Sequence, residues 1–135
     1  MKAKQPNGKP AIKSEDSLNW QRARLVGKYS ERYIGTLEVR WLKLDKFRFQ
    51  TDQYMITGDI KRKKANINVE VYGNVTGSWK VNSPDNMYQD GQWRPWLTEG
   101  NFLIGASTKI SVIVTFIFDM PDVDKRIQVK ELFII

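Results

Sequence analysis

The sequence predicts an all-β fold, an antiparallel β-sandwich preceded by an extended basic N-terminal arm, on three observations. From Lys109 to Phe118 the residues alternate, with Ile110, Val112, Val114, Phe116 and Phe118 on one face and Lys109, Ser111 and Thr115 on the other, the period of two that a strand imposes. From Gly35 onward further alternating runs rich in β-branched and aromatic residues are separated by Gly, Asn, Asp and Pro. The chain also closes on apolar residues, as expected of a last strand tied into a sheet.

Taken in order, residues 1–17 read as the arm. They hold Pro6, Gly8, Pro10 and four lysines before Ser14, with too few apolar side chains to offset the entropy of ordering. Residues 18–135 are then one domain, since 135 residues support a single core. The stretch from Ser17 to Tyr33 reads either as a short helix, with Trp20, Ala23 and Val26 on one face, or as a first strand, with Arg22, Arg24 and Val26 alternating. Gly27 interrupts either. Leu37, Val39 and Trp41 mark a strand, Phe47 and Phe49 another, and Tyr54, Ile56 and Ile60 a further one around Gly58. Ile67, Val69 and Val71 follow the basic run Lys61-Arg62-Lys63-Lys64, so the two flanks are expected to form a hairpin with residues 61–66 at its tip. Trp79 and Val81 open a long stretch, Asn82 to Gly100, that reads as irregular. After the strand to Phe118, Pro121 and the aspartates 119, 122 and 124 predict a reversal. The last strand runs through Ile127, Val129, Leu132 and Ile134, with a β-bulge expected at Lys130-Glu131 to absorb the change of phase. Seven or eight strands joined by uneven loops suit a sandwich or jelly roll.

Composition narrows the chemistry. The chain has no cysteine and no histidine, which removes disulfides, thiolate metal sites, the commonest metal ligand and the commonest general base. No apolar run approaches the roughly 20 residues of a membrane helix, and no secretory signal is seen, so synthesis in a cytoplasm without membrane insertion is expected. Glu99 and Glu131 are the glutamates with apolar neighbours, too little for an enzyme. No catalytic residue, no metal ligand set and no cofactor are expected. Charge is uneven: residues 1–64 carry sixteen Lys and Arg against seven Asp and Glu, and residues 65–135 six against eight.

The succession of Tyr54-Met55-Ile56-Thr57-Gly58-Asp59-Ile60, a strand ending at Tyr72-Gly73, a loop with Asp90-Gly91-Gln92-Trp93, the strand to Phe118 and a closing strand to Ile134 resembles the galactose-binding-like jelly rolls. That group includes carbohydrate-binding modules and accessory domains of phages and viruses. The resemblance spans about residues 36–135 and implies a sandwich whose loops or concave face bind sugar. It also implies that the Trp93 side chain packs into the sandwich, leaving Trp96 as the exposed ring. A structural calcium frequent in such modules finds only Asp119, Asp122 and Asp124 here.

Candidate contact residues follow. Trp79, Tyr88, Asp90, Trp93, Arg94 and Trp96 crowd the longest loop, where flat rings and hydrogen-bonding groups suit a glycan or a protein interface. Lys2, Lys4, Lys9 and Lys13 in the arm suit an acidic partner surface. Lys61, Arg62, Lys63 and Lys64 could neutralise phosphates, but their sequence neighbours Ala65, Asn66 and Asn68 lack the aromatic rings that single-strand binders interleave with cations. The expectation is a non-enzymatic structural protein of a phage or virus particle, an auxiliary capsid or tail-associated subunit anchored by its arm, with other protein subunits as partners. The alternatives are a carbohydrate-binding module using the Trp-rich loop and a nucleic-acid-binding protein using the basic half.

Overall fold

The computed structural model describes residues 19–135; the arm, with Lys2, Lys4, Lys9 and Lys13, lies outside the described residues. Eight strands run in the order β1 (Gln21–Lys28), β2 (Ile34–Lys43), β3 (Phe47–Ile56), β4 (Asn66–Gly73), β5 (Ser78–Asn82), β6 (Arg94–Phe102), β7 (Lys109–Phe118) and β8 (Lys125–Ile134). They form two antiparallel sheets, ordered β1-β2-β3-β6 and β5-β4-β7-β8, so the expected sandwich is what the chain makes. The middle of the chain crosses between layers in the manner of a jelly roll: β3 pairs with β6 in one sheet while β4 and β5 pair in the other. A β1-β2-β3 meander and a β7-β8 hairpin flank that crossing. No helix among the described residues is long and apolar enough to cross a membrane.

Alternation decides the local structure. Ala23, Leu25 and Gly27 point inward from β1 while Arg22, Arg24 and Val26 point out, so among the described residues of that stretch the strand reading prevails over the helical one. Gly27 does not interrupt the strand; it makes room. Gly27 and Gly35 sit opposite each other across β1 and β2, and the Phe116 ring occupies the space a side chain would need. A Cβ on Gly27 would lie 2.7 Å from Phe116 Cδ2, a distance real carbons do not tolerate. Around that ring the inward faces bury Leu25, Leu37, Val39 and Phe49 against Ile67, Val69, Val71, Val112 and Val114. Each such side chain contributes about 1.5–3 kcal/mol on leaving water.

Five sequence expectations are corrected. Phe47 to Ile56 is one strand; the switch from 47, 49 and 51 to 54 and 56 is a bulge at Asp52, where the register with β6 shifts between Thr51 and Gln53. Residues 57–60 leave the sheet, so Gly58 lies in a connection and Ile60 is exposed. Residues 61–66 are not a hairpin tip, because β3 and β4 belong to different sheets and the basic run travels between the layers. The stretch 82–100 holds most of β6. Finally, β8 has no bulge at Lys130-Glu131: its register with β7 runs unbroken from Lys109↔Ile134 to Phe118↔Lys125. Ile127, Val129 and Phe133 therefore face the core, and Leu132 and Ile134 face out.

Candidate binding surfaces

Four connections gather at one end of the sandwich: the β1–β2 turn at residues 29–33, the β3–β4 crossing at 57–65, the β5–β6 loop at 83–93 and the β7–β8 turn at 119–124. The buried Gln89 side chain ties three of them. Its Nε2 donates to the carbonyls of Asp59 (3.3 Å) and Asp119 (3.0 Å), and its Oε1 accepts from Asp119 N–H at 2.9 Å. The fourth is held by Thr57, whose Oγ1 donates to the Arg32 carbonyl at 2.8 Å and accepts from Ile34 N–H at 3.0 Å. Gly58 completes the fit, since a Cβ there would meet the Tyr33 ring at 2.9 Å.

Several expected contact residues meet on this frame. Arg94 pairs with the Asp90 carboxylate and stacks on Tyr88, its guanidinium carbon 3.9 Å from the ring centroid. The hydrogen bond from Arg94, aided by Gln92 N–H, holds the Asp90 carboxyl below its usual range against the opposing effect of burial. Lys63 Nζ approaches the same Tyr88 ring at 5.5 Å, although the two residues are far apart in sequence. Trp93 repeats the arrangement: Arg24 lies 5.0 Å from its ring centroid and is paired at 2.6 Å with Glu38. Within the basic run, Arg62 is held by Asp59 at 3.4 Å and Asp119 at 3.5 Å. The side chains of Lys61, Lys63, Lys64 and Arg32 have no carboxylate partner among the described residues.

The tryptophans fall the other way from expectation. Inward alternation along β6 takes Trp96, Thr98, Gly100 and Phe102, so Trp96 packs against the core. Trp93 precedes the strand, just after Gly91 at φ +70°, and swings over the outer face of β1 with 36% of its surface exposed. Trp79 also turns inward, its indole resting on Gly100 and 5.7 Å from the Phe49 ring.

The outer face of β1-β2-β3-β6 is a lattice of satisfied charges. Glu38 accepts from Arg24 and from Gln53, each at 2.6 Å; Asp52 pairs with Arg40 at 3.4 Å; Glu99 pairs with Arg48 at 2.9 Å and accepts from Gln50 at 2.5 Å. Gln53 and Arg24 lower the Glu38 carboxyl, and although burial alone would raise Glu99, Gln50, Asn101 and Arg48 bring it below its ordinary value. Trp20 lies beneath Arg40 and Arg48, 4.7 and 5.1 Å from their guanidinium carbons. Glu99 is thus a structural member of this lattice, and among the described residues no acidic cluster is shaped to hold a metal ion.

The opposite sheet presents a different surface. Among the described residues β8 is an edge strand with no strand paired on its outer side, and on its outer face Leu132 is 55% exposed and Ile134 73%. Leu132 pairs with Ser111, which pairs with Tyr72, and Ile113 sits diagonally beside Leu132. Sequence reasoning missed these two residues because it placed them in the core. No local pattern marks them, because Glu131 interrupts the inward phase Ile127, Val129, Phe133 and the register with β7 decides the phase. Comparison of the chain with protein-family models, curated proteins and solved structures gives no match.

Proposed function

We propose that this chain is a non-enzymatic structural subunit of a larger protein assembly, a component of a phage or virus particle. The observation that carries the reading is β8, a ten-residue edge strand among the described residues with Leu132 and Ile134 turned outward beside Ile113. Arg126 and Lys130 charge the earlier part of the outer face of β8, but its last outward residues, Leu132 and Ile134, are apolar, and such a pair is stabilised when a neighbouring chain covers it. Covering the exposed half to three-quarters of these side chains would contribute roughly 1–2 kcal/mol each, enough to tip a weak contact toward association. The particle setting is supported by the resemblance of the strand succession to accessory jelly rolls of phages and viruses.

Size-exclusion chromatography with light scattering tests the proposal on the full chain. The expected result is a mass above that of a single chain that rises with concentration. Leu132→Lys combined with Ile134→Lys should return it to a single chain without lowering the melting temperature, since neither side chain belongs to the core. A single-chain mass for both proteins at the highest attainable concentration, with no sedimentable species, would remove β8 as an assembly surface.

A further inference from the structure

We infer that the loop end of the sandwich binds single-stranded nucleic acid without sequence preference. Two sets of side chains coincide there. The exposed aromatic residues among the described residues are Tyr29, Tyr88 and Trp93, and all three lie at this end. So do Arg32, Lys61, Lys63 and Lys64, four of the cations without a carboxylate partner among the described residues. Single-strand binders combine open ring faces, on which bases stack, with cations that neutralise the phosphates between them. The sequence neighbours of the basic run lack rings, but the fold supplies one: Tyr88 comes from the β5–β6 loop to within 5.5 Å of Lys63.

Two rings are oriented in advance by the same device. Asp90 locks Arg94, which backs Tyr88, and Glu38 locks Arg24, which backs Trp93. Because a carboxylate already neutralises each of these arginines, they serve as plates behind the rings, and the phosphate role is left to the lysines. This division favours a polyanion carrying flat bases over a neutral glycan, which would need free hydrogen-bonding groups beside the rings. A duplex fits less well, since its bases are stacked on each other and offer no faces.

Fluorescence anisotropy of the full chain with fluorescein-labelled oligothymidine of about twenty nucleotides, longer than the roughly 4–16 nucleotides such sites cover, is the direct test. Binding is expected at about 50 mM salt, with log K falling against log salt at a slope of about −2 to −3 for three or four neutralised phosphates. Exchanging Lys61, Lys63 and Lys64 for Gln should weaken binding and flatten that slope. Tyr88→Ala and Trp93→Ala should each weaken binding about 5- to 150-fold with the slope retained, and Tyr88→Phe should restore it, as loss of one stacked base requires. Heparin, a polyanion without bases, should respond to the lysine variant and ignore the ring variants.

Four results would overturn the inference: no binding at low salt; oligonucleotide binding that the ring variants leave untouched, which is charge alone; binding lost when Lys2, Lys4, Lys9 and Lys13 become Gln while loop-end variants are harmless; or Trp93-dependent binding of a neutral oligosaccharide in place of the oligonucleotide. Light scattering on the same variants keeps this test separate from assembly through β8.

Discussion

Replacing Gln89 by Met removes the amide that joins three loops while nearly preserving its volume. Of the groups that Gln89 satisfies, the Asp59 carbonyl keeps a second bond, from Arg62 N–H at 2.9 Å. The N–H and carbonyl of Asp119 have no other partner among the described residues. Two main-chain groups are therefore orphaned, at about 1–3 kcal/mol each, toward the lower end because Asp119 itself is only half-buried and water can reach it. A loss of roughly 2–4 kcal/mol follows, and at about 4 °C per kcal/mol for a domain of this size the melting temperature should fall by about 8–16 °C. Thermal unfolding followed by circular dichroism measures the fall, and hydrogen exchange at the Asp119 amide should speed up in parallel. Gln89→Glu sharpens the test. Its carboxylate would face two carbonyl oxygens, so the folded state should raise its pKa. Stability is then present at acid pH and lost as pH rises through the folded value. A change in melting temperature under about 2 °C for Gln89→Met, with Asp119 exchange unaltered, would refute the claim that this side chain holds the loop end together.

Gly100→Ala should lower stability by about 1–3 kcal/mol, because its Cβ would lie 2.5 Å from Trp79 Cγ; calorimetry measures the loss, and tryptophan fluorescence should report the displaced indole. Asp90, Glu38 and Glu99 have folded-state pKa values below their ordinary ones, so their contribution is present above the ordinary carboxylate range and is lost as pH falls through the lowered values. With no histidine in the chain, the melting temperature should be flat from about pH 8 to pH 5.5 and drop below about pH 4.5; Asp90→Asn should remove part of the acid drop, whereas a step near pH 6.5 in the wild type would contradict this assignment.

The strand Lys109–Phe118 was readable because its inward phase is wholly apolar and its outward phase carries Lys109, Ser111 and Thr115. β8 misled because apolar residues occupy both phases: Ile127, Val129 and Phe133 in one, Leu132 and Ile134 in the other. The choice between them is made by pairing with β7. The bulge in β3 carries Asp52, a residue with no intrinsic mark of a bulge, so two halves of one strand looked like two strands. β6 was hidden by Pro95 and Gly100. Pro95 is tolerable because β6 is an edge, and Gly100 is required beneath Trp79. Among the candidate contact residues, Asp90 with Arg94 is a local pair legible from spacing. Lys63 against Tyr88 and Arg24 against Trp93 are products of topology that no short-range pattern encodes.

β1 and β8 lie side by side, with Cα atoms within 8 Å, and Asn19, Gln21, Ile134 and Ile135 line one groove with Trp41, Leu42 and Lys43. The described chain thus starts and finishes at one corner, and the loop end with Tyr88 and Trp93 lies a strand's length away, roughly 30 Å. The molecule has a heel and a toe. Anything joined at either end of the described chain grips the heel, so a tether, a fluorophore or an immobilising surface attached there would leave the aromatic and basic loops facing outward. The same geometry puts a donor dye at the heel within useful energy-transfer range of an acceptor carried by a ligand at the toe.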